Sequence, residues 1–182
     1  MSALDDKQTA LTERAKKTKL LILDVDGVLT DGSIILDGQD NELKSFHVRD
    51  GHGIKMLIKA GIQIAIVTGR YSMVVARRAQ ELGISEVYQR CHRKTVALDH
   101  ILEKLRLREE EVAYVGDDIV DIPIFRRVGL AIAVNDAADE AKEYASMITR
   151  GRGGRGAVRE VCDFLLKAKG LWESVIGEYL ET

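Results

Sequence analysis

Short apolar runs alternate along this chain with stretches whose apolar residues recur every three or four positions. LLIL at 20–23, IQIAIVTGR at 62–70, EVAYVGDD at 111–118 and LAIAV at 130–134 read as buried strands, most breaking off at polar or acidic residues. A shorter strand is expected at 86–88. Between them lie helical patterns: an amphipathic stretch at 4–17, Ile54, Leu57 and Ile58 stopping at Gly61, and Val75, Ala79 and Leu82 stopping at Gly83. Leu98, Ile101, Leu102 and Leu105 mark another helix, with further ones around 122–126 and 137–144. Residues 33–48 read as two extended runs about an Asp37-Gly38 turn, a hairpin signal. Strands alternating with helices predict an α/β fold, a doubly wound and mainly parallel sheet with a β-hairpin insertion.

Length and composition narrow the class. With 182 residues, 46% of them hydrophobic and 31% charged, the chain suits one globular domain over 1–182, including hairpin 33–48 and a glycine-rich tail and helix at 150–182. A net charge of -2 offers no case for nucleic acid, and no apolar run of roughly 18 residues suggests a membrane span. The polar N-terminus does not read as a secretory signal, so cytoplasmic residence is expected. Cys91 and Cys162 have no metal-type spacing; Cys162 shares helical spacing with Val158, Val161 and Leu165 and reads as a core thiol.

The polar residues at the strand ends carry the chemistry. Asp24 and Asp26 follow the first strand, Thr68 the second, Lys94 opens a helix, and Asp117, Asp118 and Asp121 follow a later strand. In a parallel sheet those ends lie along one edge, where such folds bind ligands. Each piece has an ordinary reading: an Asp-Gly turn, a helix cap at Thr68 or at 116–118, a solvated lysine. Together they could hold a phosphate monoester. A carboxylate nucleophile splits hydrolysis into two easier steps. Clustered carboxylates repel by roughly 4 kcal/mol per pair at about 4 Å and an effective dielectric of ~20. A compensating cation is required, and Mg²⁺ suits carboxylates, water and phosphate oxygens. Lys94 and Thr68 would meet the equatorial oxygens, and Asp26 could serve as general acid and base.

DVDGVLT at 24–30, VTGR at 67–70, Lys94 and GDDIVD at 116–121 resemble, in this order, the motifs of the haloacid-dehalogenase superfamily of phosphatases. The resemblance implies a Rossmann-like fold of that type, Asp24 as nucleophile, Asp26 as acid/base, and Thr68 and Lys94 as phosphate ligands. It places Mg²⁺ on Asp24, the Asp26 carbonyl and Asp117, with Asp118 and Asp121 in support. The spacing of the motifs leaves no room for a cap domain. Residues 31–57, the YVGDDIVDIP stretch and 152–170 are very similar to the capless phosphatases of ulosonate phosphates, acidic sugars of lipopolysaccharide precursor synthesis. That likeness implies a homotetramer assembled through the hairpin, a small acidic sugar phosphate as substrate, and no nucleic-acid or membrane partner. His47, Val48, Arg49, Asp50, Gly51, Lys55, Arg70 and Arg78 would line the substrate site with Asp26 and Lys94. Lys55 departs from the family, which often has arginine there, and Arg78 alone would read as a solvated helix residue.

GRGGRG at 151–156 satisfies G-x-G-x-x-G but lacks the second strand with an acidic end that a dinucleotide site needs. Two readings remain for it: a flexible linker, or a lid bringing Arg152 and Arg155 to a neighbour's substrate. The expected activity is Mg²⁺-dependent hydrolysis of an eight-carbon ulosonate phosphate through a phosphoaspartate. The alternatives are a nine-carbon ulosonate phosphate as substrate, a phospho-accepting signalling domain, or a non-catalytic scaffold on the same fold.

Overall fold

The computed structural model describes residues 3–39 and 41–180. Residues 1, 2, 40, 181 and 182, which fall within the expected domain, hairpin and tail, lie outside the described residues. Helix α1 (Ala3–Lys17) leads into β1 (Leu20–Leu23), followed by a two-stranded ribbon of β2 (Ile35–Leu36) and β3 (Glu42–Leu43). Then come α2 (Val48–Lys59), β4 (Gln63–Val67), α3 (Met73–Leu82), β5 (Glu86–Tyr88), α4 (Lys94–Leu105) and β6 (Val112–Gly116). The chain finishes with α5 (Ile122–Phe125), β7 (Leu130–Ala133), α6 (Asp139–Tyr144), β8 (Met147–Ile148), α7 (Ala157–Ala168) and α8 (Trp172–Leu180).

The main sheet has the order β5-β4-β1-β6-β7-β8, and every pairing in it is parallel. Its central strands are buried along their length, which is why they read as continuous apolar runs with no alternation. The chain winds outward from β1 through β4 to β5, then returns to lay β6 on the other side of β1. The carboxyl ends of β1 and β6 therefore flank the point where winding reverses, and open sheets bind ligands in that crevice. Helices α1, α2 and α7 pack together, and α4 packs on α5. Gly61 and Gly83, the expected stops, take left-handed conformations just past α2 and α3. Cys162 is fully buried, and burial raises its thiol well above the ordinary range.

The 3-10 turn at Glu109–Glu111 ties the starts of β1 and β6 together. The buried Glu111 accepts hydrogen bonds from Lys19 Nζ at 2.6 Å and from the Arg108 backbone at 2.9 Å, and these lower its pKa from 4.5 to about 2. In the unfolded chain the same carboxyl takes up its proton near 4.5. The folded state thus binds fewer protons in that window, so Glu111 stabilises the fold above pH 4.5, and this contribution fades as pH falls to about 2. Denaturant unfolding followed across this range should show an acid limb that Glu111→Gln flattens.

Candidate active site

The first strand stops being a strand because Asp24 turns its carboxylate back onto the chain: Oδ1 accepts from the Val25 N–H at 2.7 Å. Val28, Leu29 and Thr30 then donate their N–H groups to the Val25 carbonyl, closing a compact loop. Gly27 sits in this loop at φ +86°, with the Asp117 carboxylate where a side chain would otherwise stand. Glycine is demanded there twice, by backbone conformation and by the close approach of a carboxylate.

Lys94, the first residue of α4, extends to the same place. Its ammonium is buried and donates at 2.5 Å to Asp24 Oδ2, at 2.5 Å to Asp121 Oδ1 and at 3.2 Å to the Tyr114 hydroxyl. Asp121 is saturated: its Oδ1 also accepts from the Tyr114 hydroxyl at 2.6 Å, and its Oδ2 from the Asp117 and Asp118 N–H groups. This carboxylate orients Lys94 and the loop after β6. Asp118, by contrast, caps the following turn, accepting from Ile119 N–H at 2.7 Å, so the ordinary cap reading holds for that residue. Asp117 points into the cluster; its backbone carbonyl accepts from Ala138 N–H at 2.7 Å, but its carboxylate accepts no hydrogen bond among the described residues.

Asp24, Asp117 and Asp121 bring one oxygen each within 4.8 Å of one another. Burial, only partly opposed by Lys94, raises the Asp24 pKa to about 6. Burial and the charges of Asp24 and Asp121 push Asp117 to about 8. On Lys94, burial opposes the charge, but the two carboxylates outweigh it and raise its pKa. One ammonium does not neutralise three carboxylates, so the donor set fits a hard divalent cation. The Asp117 carboxylate has no donor and is open to such an ion, Asp24 accepts one hydrogen bond on each oxygen and keeps lone pairs to spare, and Asp121 is spoken for.

A cavity of about 440 Å³ opens over this cluster, lined by Asp24, Asp26, Thr68, Arg70, Lys94 and Asp117 among others. Thr68 is buried, and its loop is pinned to the one before α4 by a Cys91 N–H to Thr68 O bond at 3.0 Å. Cys91 and His92 line the same cavity, as do Gly32, Asp118 and Val120. Two residues at the ribbon stand behind that wall, which hydropathy did not signal: Lys44 pairs with Asp26, and Glu42 accepts from Arg70 Nη2 at 2.8 Å. Tyr114 was equally silent, its one signal being a phenol in an otherwise apolar strand.

The other expected substrate residues stand off the cavity wall. Val48 and Arg49 are exposed at the start of α2. Arg78 lies over the Phe46 ring, pairs with Glu81 at 2.9 Å and packs against Gly51. Lys55, on α2, is exposed and outside the lining. Asp50 is buried and turned toward α7, accepting from Arg159 N–H at 2.8 Å and Gly156 N–H at 3.3 Å; His47 Nδ1 lies 3.8 Å from it. The helix N-terminus behind the glycine-rich stretch is thus occupied by this chain's own carboxylate. The linker reading of 151–156 is overturned as well. Gly153 and Gly154 are buried against residues 27–31, with Gly154 N–H donating to Val28 O at 2.9 Å and Gly153 N–H to Asp136 at 2.9 Å. Arg152 and Arg155 project from it, Arg155 reaching Asp31 at 3.3 Å.

The profile of the haloacid dehalogenase-like hydrolase family matches residues 74–159. The chain is 48% identical over 165 residues to the 3-deoxy-D-manno-octulosonate 8-phosphate phosphatase of Escherichia coli K12, covering 91% of this chain and 88% of that protein. The crystal structure of the Yersinia pestis 3-deoxy-D-manno-octulosonate 8-phosphate phosphatase superposes with a TM-score of 0.89 at 47% identity, covering 90% of this chain and 89% of that one. The Moraxella catarrhalis phosphatase of the same name, solved with a magnesium ion, a phosphate ion and 3-deoxy-D-manno-octulosonate (KDO), gives 0.91 at 41% identity over 93% and 97%.

A Cβ on Gly153 would collide with the Gly27 carbonyl, whereas one on Gly38 meets nothing. Gly153→Ala should therefore destabilise the protein by about 1–3 kcal/mol, visible as a lowered Tm, while Gly38→Ala leaves Tm nearly unchanged.

Proposed function

This chain belongs to the 3-deoxy-D-manno-octulosonate 8-phosphate phosphatases of the haloacid dehalogenase-like hydrolases, and we propose that Asp24 is the nucleophile with which it hydrolyses that ester. The observation that carries this assignment is the buried Lys94–Asp24 contact at the mouth of the parallel sheet, beneath the cavity. The Asp24 carboxylate attacks phosphorus, the bond to the sugar oxygen breaks, and Asp26 gives a proton to the departing alkoxide. A water then attacks the phosphoaspartate, Asp26 takes its proton, and inorganic phosphate leaves with Asp24 regenerated. Lys94 faces the phosphoryl oxygens, where its charge and the Thr68 hydroxyl oppose the negative charge of the transition state. Magnesium, which Asp24, Asp117 and the Asp26 carbonyl would hold, supplies Lewis-acid neutralisation of the phosphate. Asp121 keeps Lys94 and the β6 loop in place.

Arg70, half-buried at the cavity wall, suits the sugar carboxylate, which a guanidinium can meet in two-point fashion. His47 to Gly51, Lys55, Arg78, Arg152 and Arg155 lie outside the cavity of one protomer, and their proposed substrate roles require a neighbouring copy. The ribbon supports such an assembly: Ile34, Ile35, Leu36 and Leu43 are all exposed on it. A homotetramer built through these residues is our reading. Placement in the cytoplasm is proposed with it, on two unpaired cysteines and no described helix long and apolar enough to cross a membrane.

Phosphate release should be fastest from the eight-carbon ester in a panel of eight- and nine-carbon acidic sugar phosphates; preference for a nine-carbon ester would reassign the substrate. Asp24→Asn should abolish turnover without changing the circular dichroism spectrum, and isotope from labelled ester should settle on residue 24 of the wild type. Asp26→Asn should lower kcat by roughly 10²–10⁴-fold. Chelation should remove activity and added Mg²⁺ restore it. Light scattering should report four copies in wild type and fewer in Ile35→Asp.

A further inference from the structure

The ribbon contributes more than apolar surface. Side-chain alternation along 42–44 sends Leu43 outward and turns Glu42 and Lys44 toward Asp26 and Arg70. The Lys44 side chain is 1% exposed, against 41% for Arg70. Its ammonium pairs with Asp26 Oδ1 and lies 3.3 Å from Glu42 Oε1; Glu42 in turn accepts from Arg70 Nη2 at 2.8 Å, and Arg70 Nε stands 4.0 Å from Asp26 Oδ2. Asp26, Lys44, Glu42 and Arg70 thus form a closed ring of alternating charge joining the loop after β1, the ribbon and the loop after β4. An ammonium so shielded from water persists only when paired, and both its partners are on hand.

Resting on the phosphatase reading, we infer that Lys44 is a positioning residue that acts through Asp26. Asp26 has two rotatable bonds and follows Val25 in a loop, so nothing in its own element fixes its carboxylate. Lys44 fastens Oδ1, while Oδ2, 4.0 Å from Arg70 Nε, holds no hydrogen bond among the described residues, and Asp26 itself lines the cavity. In the second half-reaction a water oxygen bonds to phosphorus, the Asp24–phosphorus bond breaks, and the water's proton passes to Asp26. Holding Oδ2 in line with that water is the work Lys44 does, and Glu42 steadies Lys44 from behind. Nothing in the reaction requires Lys44 to touch the substrate.

The probe is 4-nitrophenyl phosphate, whose leaving group departs without a proton, so that phosphoenzyme hydrolysis can be read by quenching and intact mass. Lys44→Met should slow decay of the phosphoaspartate 10- to 50-fold, produce a nitrophenolate burst and leave kcat/KM, which reports only the first step, within threefold. Lys44→Arg, which keeps the charge, should come back to within threefold of wild type. Placed in an Asp26→Asn background, Lys44→Met should cost less than threefold more, because the group it positions is gone. Equal losses in both backgrounds, a change in KM alone, or an unchanged decay rate would overturn the inference. Should Lys44→Met fail to fold, Glu42→Gln at the rim reads the same ring, with an expected 3- to 10-fold slowing that again disappears with Asp26→Asn. Wild-type protein inert toward every phosphate monoester would instead sink the phosphatase reading, and this inference with it.

Discussion

Three carboxylates crowd one ammonium at the carboxyl ends of β1 and β6, and the surrounding structure exists to hold them there against their repulsion. The sheet brings Asp24 and Asp117 side by side because β1 and β6 pair in register, Leu23 opposite Val115. Hydrogen bonds then absorb what charge they can. Asp121 takes two backbone N–H groups and the Tyr114 hydroxyl, and Asp24 takes the Val25 N–H. What remains is the Asp117 carboxylate, crowded and without a donor among the described residues, its pKa driven to about 8. A site in this condition binds cations because it is built incomplete without them.

Much of this was legible beforehand, and the boundary follows the range of the forces involved. Strands buried on both faces leave continuous apolar runs, and glycine stops leave a local mark, so β1, β4, β6, β7, α2 and α3 stand where the pattern put them. The convergence of Asp24, Thr68, Lys94 and Asp117 was equally foreseeable, because a parallel sheet gathers strand ends on one edge. Partnerships between distant residues left no such mark. Asp50, expected at the substrate site, meets the start of α7, a contact that no local pattern announces. Lys44 and Glu42 sit in a segment whose polarity resembled ordinary solvated ribbon, and their partners Asp26 and Arg70 belong to other loops. Tyr114 passed for a core aromatic, since only the fold brings Lys94 and Asp121 to its hydroxyl.

The ribbon also shows how few residues can face two tasks. Its paired strands are two residues each, and the turn between them is tied by Asp37, which accepts from the Gln39 and Asn41 N–H groups. One side exposes apolar surface, while the other presents charges to Asp26 and Arg70. Whatever orders the outer side therefore orders the inner one, because neighbouring residues of a strand cannot rotate independently.

Gly153 and Gly154, leaning on the backbone of Gly27 and Thr30, give the loop after β1 a wall that is made late in synthesis. Chains leave the ribosome N-terminal part first, so Asp24 and Asp26 emerge long before the glycines that brace them. Until that brace arrives, the acidic loop is a nascent segment without its final shape. The reactive end of the sheet is therefore among the first parts to be made and the last to be finished.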